Sequence, residues 1–543
     1  MKHSISILLL FICSINTHAQ KNKPKIVVGI VIDQMCYEYL YRFQENYSKK
    51  GFVEVMKNGT NCRNVEYNYI PTYTGPGHAS IYSGTTPNNH GIIGNSWYDR
   101  ENKHLVNCVG DASSYSIGSN SIYGNCSPHR LKSYTVTDQL KLTYPESKVI
   151  SISIKDRGAI LPGGHKSDGS YWFDYQSGKF ITSSFFKNEL PTWLLNFNNN
   201  KNCFTYAKTW QPLLEPEKYS SKDKSDYEVI LPGKANAQFP YDIKNLISIN
   251  NNLHAFTISP FANTLLTDLA IEAIQGEALG RTKNTDMICI SYSSTDIAGH
   301  AFGPYSKEIE DMYIRLDLEI SRLLKFLNKR YGKKGYVLFM TADHGVVPVP
   351  KQLTDDRLPG GYVFVDSLVQ RLKEKSMSIF GADLIENVVN LNVYLNHERI
   401  DSLQTNINDV EQLITNEIIQ TKGVKKVLTA NLFSNFNATD DKYESLIIKG
   451  YDSKRSGDLL IVLETGYLPE TSIDPNLNKG TSHGSGYAYD THVPLLWYGG
   501  GIKKQEIFEP IQITDISPTL IHLLNLQRTG AMTGNPIVEV LKK

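Results

Sequence analysis

The run KIVVGIVID at residues 25–33 decides the expected fold, because it is apolar almost throughout and ends in an acid. It lacks the polar alternation of a half-exposed strand, so it predicts a strand that is buried on both faces, as in a parallel sheet. Similar runs recur at residues 147–157, 285–296, 335–345, 458–464 and 492–499. Together they predict a parallel sheet of several buried strands.

Helices are predicted between these strands. Ser259 and Pro260 form a cap and first-turn pair for a helix that continues to about Gln275, and residues 307–329 carry apolar side chains at helical spacing. Strands that alternate with helices indicate an α/β fold. We therefore predict a doubly wound, mostly parallel sheet with helices on both faces.

Two regions, at about residues 158–254 and 351–457, interrupt this alternation. The first is rich in Asn, Lys, Tyr and Trp with weak periodicity, and the second adds helix and strand patterns without obvious chemistry. We predict one catalytic domain over residues 20–543, with these regions as insertions that form cap or side subdomains.

The amino-terminal sequence indicates where the protein is located in or outside the cell, and the net charge limits the kinds of partner it can bind. A basic start, an apolar run over residues 5–13 and the sequence Thr17-His18-Ala19 predict a signal peptide at residues 1–19, cleaved near Ala19. We therefore expect a periplasmic or secreted protein with no membrane span in the mature chain. The formal net charge of +1 over 543 residues gives no electrostatic case for a nucleic-acid partner.

Acidic and imidazole side chains gather where predicted strands end. They are Asp33, Asp296, His300, Asp343, His344 and, in the glycine-rich GTSHGS, His483. The carboxyl ends of strands form the ligand-binding edge of an open α/β sheet, so we expect these side chains to meet there. Mixed nitrogen and oxygen donors suit zinc, and six of them predict a pair of zinc ions. Any one of these residues alone would be read as a helix cap or a hydrogen-bond partner.

The segment PTYTGPGHAS at residues 71–80 presents one hydroxyl, that of Thr74. Pro76 near a first turn predicts a helix that begins at about Thr74 or Gly75. The start of a helix offers free N–H groups to a phosphoryl oxygen. Thr74 could be a simple helix cap, but beside a zinc ion its hydroxyl becomes a nucleophile.

Three further residues fit the binding of a phosphoryl group. Asn95 follows a glycine in HGIIGNSWYD, where its amide can donate to an oxygen, although taken alone it would be better interpreted as a turn-forming residue. Lys155 and Arg157 directly follow the strand SKVISISI. An arginine grips two phosphate oxygens and a lysine supplies a point charge, so their position at a strand end favours function over a solvated turn.

These motifs together resemble the alkaline phosphatase superfamily, and within it the PafA-type, phosphate-irrepressible alkaline phosphatases. The matching pieces are VIDQM, PTYTGPGHASIYSG, HGIIGNSWYD, IKDRGAILPGGH, STDIAGHAFGP, TADHG, GTSHGS and TDISPT, which span nearly the whole chain. The resemblance implies a periplasmic zinc-dependent phosphate monoester hydrolase that acts through a phosphothreonine.

The resemblance also implies a role for each matched residue. One zinc is expected on Asp296, His300 and His483. The other is expected on a second set, with the hydroxyl oxygen of the nucleophile as a fourth ligand: Asp33, Asp343, His344 and Thr74. Asn95, Lys155 and Arg157 are expected to contact the transferred phosphoryl group.

Two alternatives remain open at this stage. A phosphodiesterase or nucleotide pyrophosphatase of the same superfamily would share the metals, the threonine and the asparagine, but would favour an uncharged pocket where Lys155 and Arg157 stand. A non-catalytic exported protein that binds zinc or carbohydrate would suit the 32 tyrosines, but not a complete set of ligands with a nucleophile. We expect a monomer that acts on small phosphate monoesters.

Overall fold

The computed structural model describes residues 23–281, 283–430, 441–471 and 478–541. The predicted signal peptide at residues 1–19 lies outside the described residues and stays a prediction. Among the described residues, no helix has the length and apolar character needed to cross a bilayer.

Strands and helices alternate along most of the chain. The strands, numbered along the chain, are β1 (Ile26–Ile32), β2 (Thr60–Cys62), β3 (Val65–Glu66), β4 (Ser96–Asp99), β5 (His104–Asn107), β6 (Ser116–Ile117), β7 (Val149–Ser153), β8 (Gly169–Phe173), β9 (Phe180–Ser183), β10 (Thr209–Trp210), β11 (Tyr241–Asp242), β12 (Asp286–Tyr292), β13 (Tyr336–Thr341), β14 (Gly361–Phe364), β15 (Ile385–Val389), β16 (Asn392–Leu395), β17 (Val424–Thr429), β18 (Leu459–Leu463), β19 (Tyr467–Glu470), β20 (Leu495–Gly499), β21 (Gln505–Ile507) and β22 (Ile511–Gln512). The α-helices are α1 (Tyr39–Arg42), α2 (Phe52–Asn58), α3 (Thr74–Ser83), α4 (Pro87–His90), α5 (Val136–Thr143), α6 (Asp156–Gly163), α7 (Thr192–Asn200), α8 (Cys203–Tyr206), α9 (Ile243–Asn250), α10 (His254–Thr257), α11 (Pro260–Gly276), α12 (Ser294–Phe302), α13 (Lys307–Tyr331), α14 (Pro350–Asp355), α15 (Val365–Phe380), α16 (His397–Ser402), α17 (Ile407–Ile419), α18 (Lys442–Gly450), α19 (Ala488–Thr491) and α20 (Ile516–Leu524).

The main sheet has ten strands in the order β21-β2-β20-β13-β1-β12-β7-β8-β9-β6. The pairs from β13 through β1, β12 and β7 to β8 are parallel, whereas β20 is antiparallel to both β13 and β2. Every residue of β1, β12 and β13 is buried, so both faces of these strands are covered. The prediction of a mostly parallel α/β sheet is confirmed.

The two helices predicted in detail are present at nearly the predicted bounds. Ser259 occupies the cap position of α11, and Pro260 begins the helix. In α13 the Ser306 hydroxyl accepts a hydrogen bond from the backbone N–H of Ile309, which satisfies one of the free donors of the first turn. These two long helices pack against each other, and α11 also contacts β7 and β12.

Two predicted strand assignments were wrong in their pairing. The run at residues 458–464 forms β18, which lies in a separate four-stranded sheet of order β15-β16-β18-β17 with antiparallel neighbours. The run at residues 492–499 forms β20, which joins the main sheet but is antiparallel. A short apolar run indicates burial, but it does not encode the direction or the identity of the neighbouring strand.

The two interrupting regions differ in how their strands are paired. The region at 158–254 begins with α6, β8 and β9, and the two strands extend the main sheet, so it is not a separate subdomain throughout. The region at 351–457 builds its own sheet around its own apolar core, which includes Leu372, Ile414 and Leu459. That sheet continues past residue 457, because β18 is one of its strands.

Two further buried carboxyl groups, those of Glu228 and Glu308, are not among the candidate metal ligands. Their side chains are 1% and 0% exposed, and within the described residues neither oxygen of Glu228 nor Oε2 of Glu308 has a hydrogen-bond partner. The Tyr241 hydroxyl donates to Oε1 of Glu308 over 2.7 Å. Burial raises the pKa of Glu228 to about 10, helped by repulsion from Glu308, and raises the pKa of Glu308 to about 8. Both groups therefore hold a proton more tightly than a solvated glutamate does.

We expect the free energy of unfolding to fall as the pH rises from 4.5, the ordinary pKa of a glutamate, to about 8 and beyond. The sign follows because the folded protein holds these protons more tightly than the unfolded chain does. The substitution Glu228→Gln should raise the free energy of unfolding at pH 9 by about 1–3 kcal/mol and change it less at pH 5. Guanidinium unfolding at the two pH values measures this difference.

The exposed Glu217 offers a matched control, because Glu217→Gln removes the same charge without a buried environment. A Glu228→Gln protein that is no more stable than the parent at pH 9 would contradict this account of the pair.

Candidate metal centre

The first group of side chains consists of Asp33, Asp343 and His344. Asp33 directly follows β1 and the other two follow β13, which pairs with β1 in parallel, so the two strands deliver them to one edge of the sheet. All three are completely buried. The Nε2 atom of His344 lies 3.5 Å from Oδ1 of Asp33 and 3.7 Å from Oδ2 of Asp343. The three side chains offer ligand atoms within 4.8 Å of one another.

The second group consists of Asp296, His300 and His483. Asp296 and His300 stand one turn apart on α12, which begins just after β12. The Oδ1 atom of Asp296 lies 3.2 Å from Nε2 of His300 and 3.5 Å from Nε2 of His483. The rings of His483 and His344 stack with centroids 3.5 Å apart, so the two groups adjoin.

The three imidazole rings are oriented in the same way. In each, Nδ1 lies within hydrogen-bonding distance of a backbone carbonyl: His300 at 2.8 Å from Thr481 O, His483 at 2.8 Å from Thr72 O, and His344 at 2.9 Å from Gly345 O. An Nδ1–H that donates to a carbonyl leaves Nε2 as an acceptor that faces the carboxylates. This arrangement is typical of histidines that bind a metal.

The electrostatics of the cluster favour the binding of cations. Burial, and then repulsion from Asp296 and Asp343, raises the pKa of Asp33 well above its usual range. Burial alone would also raise the pKa of Asp296, but the charges of His300 and Lys155 outweigh it and lower that pKa. Burial lowers the pKa of His344 to about 3, which keeps the ring neutral and able to ligate.

The donor set fits two metal ions. Within the described residues, Oδ1 of Asp33 and Oδ2 of Asp343 are buried without a hydrogen-bond partner, although buried polar atoms are normally satisfied. Each group combines carboxylate oxygens with imidazole nitrogen, which is a mixture that zinc accepts. A metal ion in each group would satisfy these atoms and offset the concentrated negative charge.

Thr74 begins α3 beside His344 of the first group. Tyr73 occupies the cap position, so the reading of Thr74 as a simple cap is wrong, while the predicted helix start is confirmed. Its Oγ1 lies 3.5 Å from Nε2 of His344 and 3.4 Å from Nζ of Lys155. Gly77 allows this approach, because a Cβ at that position would lie 2.4 Å from the carbonyl oxygen of Asp343.

Lys155 reaches into the middle of the cluster. Its Nζ lies 2.7 Å from Oδ2 of Asp33 and 2.5 Å from Oδ2 of Asp296. Burial would lower the pKa of this ammonium, but Asp296 and Asp33 raise it above its ordinary value. Lys155 therefore carries its charge next to the Thr74 hydroxyl.

Asn95 and Arg157 border the same space. The backbone N–H of Gly75 donates to Oδ1 of Asn95 over 2.8 Å, which directs the amide Nδ2 elsewhere. Arg157 contacts Asp156 through Nη1 at 3.4 Å, while its buried Nε has no partner among the described residues. The structure thus brings the predicted residues to one edge of the sheet, and among the described residues the buried Nε of Arg157 is a donor without a partner.

Two residues of this cluster were missed in the sequence. His78 stands one turn after Thr74 on α3, and its Nδ1 lies 3.3 Å from Oδ2 of Asp343. Gln34 directly follows Asp33 and donates hydrogen bonds to both Asp343 and Asp296. The helical spacing from Thr74 could have indicated His78, but no sequence pattern indicates what Gln34 contacts.

Comparison with known proteins agrees with this site. The sequence model of the type I phosphodiesterase / nucleotide pyrophosphatase family matches residues 27–486. The chain is 39% identical to alkaline phosphatase PafA of Elizabethkingia meningoseptica over 96% of this chain and 95% of that protein. It is 37% identical to alkaline phosphatase PhoV of Synechococcus elongatus over 99% of both chains. The crystal structure of PafA superposes with a TM-score of 0.90, at 37% identity, over 96% of this chain and 99% of the other.

The chain belongs to the type I phosphodiesterase / nucleotide pyrophosphatase family, within the alkaline phosphatase superfamily. The predicted resemblance to the PafA-type alkaline phosphatases, and with it the prediction of an enzyme, is confirmed.

Proposed function

We propose that this protein is a zinc-dependent phosphate monoester hydrolase that acts through a phosphothreonine at Thr74. The observation that carries the proposal is the position of the Thr74 hydroxyl, 3.5 Å from Nε2 of His344 and 3.4 Å from Nζ of Lys155. His344 belongs to one candidate metal group and its ring stacks on His483 of the other, and relatives that align over nearly the whole chain are named alkaline phosphatases.

The residues that would hold the metals are the two groups described above. Asp296, His300 and His483 would hold one zinc, while Asp33, Asp343, His344 and the Thr74 oxygen would hold the other. When bound, the zinc ions supply positive charge that favours ionisation of the hydroxyl and stabilises the leaving oxygen. The mixed nitrogen and oxygen donors favour zinc over magnesium or calcium, which prefer oxygen ligands alone.

The reaction has two displacements at phosphorus. Thr74 Oγ1 gives up its proton to water and attacks in line, so its bond to phosphorus forms while the bond to the leaving group breaks, and the leaving alkoxide takes a proton from water. A water molecule then attacks the phosphothreonine and gives up a proton, the bond from phosphorus to Thr74 breaks, the Thr74 oxygen takes a proton back, and inorganic phosphate leaves. Such catalysis rests on positioning and charge stabilisation, which Lys155, Arg157 and Asn95 would supply at the phosphoryl oxygens.

The substrate preference follows from charge. A monoester dianion has one more anionic oxygen than a diester, and the Lys155 ammonium and the unpaired Nε of Arg157 are cationic donors for it. A phosphodiesterase is the alternative, favoured by the name of the matching family. A solved PafA variant carries substitutions at one threonine, one asparagine, one lysine and one arginine, the residue types assigned here.

We also propose that the protein is exported, with cleavage near Ala19, and that it works as a monomer with a single catalytic domain. The basic start and short apolar run of the sequence support export. The ligands of both metal groups come from the main sheet and the loops beside it, which supports one catalytic domain.

Removal of the metals tests the proposal. After dialysis against a chelator, we expect turnover of an aryl phosphate monoester to fall at least about a hundredfold, since each metal contributes several kcal/mol to the transition state. Zinc should restore the rate, and magnesium or calcium should not. The control is protein dialysed against the same chelator saturated with zinc. Full turnover in protein that elemental analysis shows to be metal-free would overturn the proposal.

A further inference from the structure

Gln34 occupies an unusual position in the backbone. It directly follows Asp33 and is 2% exposed, and its φ of 64° lies in the left-handed region. A residue with a Cβ pays roughly 1–2 kcal/mol in that region. Such a conformation persists where the surrounding contacts hold it, which occurs often at functional sites. Those contacts therefore identify what Gln34 does.

Two donors of Gln34 reach the two metal groups. Its backbone N–H donates to Oδ1 of Asp343 over 3.1 Å, and its side-chain Nε2 donates to Oδ1 of Asp296 over 2.8 Å. Asp343 belongs to one group and Asp296 to the other. Both hydrogen bonds are buried, where their loss leaves acceptors without compensation by water.

The helix that carries Asp296 is shaped to receive this side chain. Gly299 lies on α12 between Asp296 and His300, and a Cβ there would lie 1.7 Å from Oε1 of Gln34. The Thr295 hydroxyl on the same helix donates to the carbonyl oxygen of Asp33 over 2.6 Å. The turn at residues 33–34 is thus attached to α12 by its backbone and by the Gln34 amide.

The hydrogen bond to Asp296 acts on the oxygen that faces the histidines. The same Oδ1 lies 3.2 Å from Nε2 of His300. A carboxylate oxygen has lone pairs for both an amide and a metal, so the bond orients the oxygen without consuming it. In Asp343 the backbone bond takes Oδ1 and leaves Oδ2, the atom nearer Nε2 of His344.

We propose that Gln34 is a positioning residue that sets the distance and orientation between the two metal groups. The inference rests on the proposed function, in which both groups bind zinc. Gln34 directly follows Asp33, and its side-chain amide donates a hydrogen bond to Asp296 of the other group. Its backbone N–H donates to Asp343, which belongs to the same group as Asp33. A glutamate at this position would replace a donor with a second carboxylate and repel Asp296.

Zinc release from holoenzyme tests the proposal. Parent and Gln34→Ala proteins are mixed with a chromophoric chelator, and the amount and rate of zinc release are recorded. Because the alanine keeps the backbone N–H but lacks the amide, we expect one zinc to bind about 10–100-fold more weakly and the other to change little. A His300→Ala protein identifies the release phase of the Asp296 group.

A second variant separates the effect of losing the side-chain amide from the effect of backbone strain at the positive φ. Gln34→Gly also lacks the amide but accepts the positive φ, so it should lose the same affinity while unfolding no more easily than Gln34→Ala. It also provides the comparison if the alanine protein fails to fold. Gln139→Ala, which removes another buried glutamine on α5, is the matched control and should release zinc as the parent does.

The possible outcomes distinguish a failure of the role assigned to Gln34 from a failure of the proposed zinc-dependent function. A parent that releases two zinc ions while Gln34→Ala and Gln34→Gly behave identically to it would overturn the role of Gln34 alone. An equal loss of affinity for both zinc ions would also contradict this role, because a general loss of packing would affect both groups alike. A parent that holds no zinc would overturn the proposed function and this inference together.

Discussion

Replacing Thr74 by alanine is expected to lower kcat for an aryl phosphate monoester by at least about a thousandfold, since the variant lacks the proposed nucleophile. Some activity over the uncatalysed reaction should remain, because the metal groups, Lys155 and Arg157 still bind and polarise the ester. Steady-state kinetics on metal-replete protein measures this loss. Elemental analysis shows whether the variant keeps its metals.

The substitution Thr74→Ser is the matched control, because it keeps a hydroxyl at the start of α3 and should retain part of the activity. Acid quenching during turnover should leave phosphate on the peptide that contains residue 74 in the parent and none in the alanine variant. Near-native turnover by Thr74→Ala would remove Thr74 from the mechanism and leave a water molecule as the nucleophile.

The double substitution Lys155→Ala with Arg157→Ala is expected to reduce kcat/KM for a monoester by about 10²–10⁴-fold. The estimate assumes two charge-assisted hydrogen bonds of about 1.5–3 kcal/mol each. The matching diester presents an esterified oxygen in place of one anionic oxygen, so its kcat/KM should fall by about tenfold or less. The measurement is the ratio of the two values in parent and variant.

Lys155 needs a separate control, since its ammonium also contacts Asp33 and Asp296. Loss of that contact could change metal binding and so affect both substrates alike. The single variant Arg157→Ala avoids this, because Arg157 pairs with Asp156 rather than with a candidate ligand. Equal losses on monoester and diester in both variants, at unchanged metal content, would favour the phosphodiesterase alternative.

The sequence was sufficient for the ligands that end neighbouring parallel strands. Asp33 follows β1, and Asp343 and His344 follow β13, so the pairing of two buried strands places these three side chains together. His483 was found through its glycine-rich motif rather than its strand, because β18 belongs to another sheet. Strand-end reasoning alone would therefore have misplaced the region that precedes His483.

The features that could not be predicted depend on contacts between distant residues. The direction of β20 depends on which strands flank it, and its own apolar residues are compatible with either direction. The bond from Gln34 to Asp296 requires a rare backbone angle, a glycine at 299 and a particular rotamer. None of these leaves a periodic signal in the sequence.

The stacking of His344 on His483 joins two metal groups whose residues are far apart in the sequence, which affects when the site can form during synthesis of the chain. His483 is held by the carbonyl of Thr72, which is 411 residues away along the chain, and Gln34 reaches Asp343 across 309 residues. Contacts of such long range form late in folding, because a large loop must close before they stabilise anything. A growing chain that ends before residue 483 has every ligand of one metal group and only two of the other. The group of Asp296, His300 and His483 therefore stays incomplete until residue 483 has been made, and on the proposed function we expect no zinc-dependent hydrolysis from a fragment that ends before it.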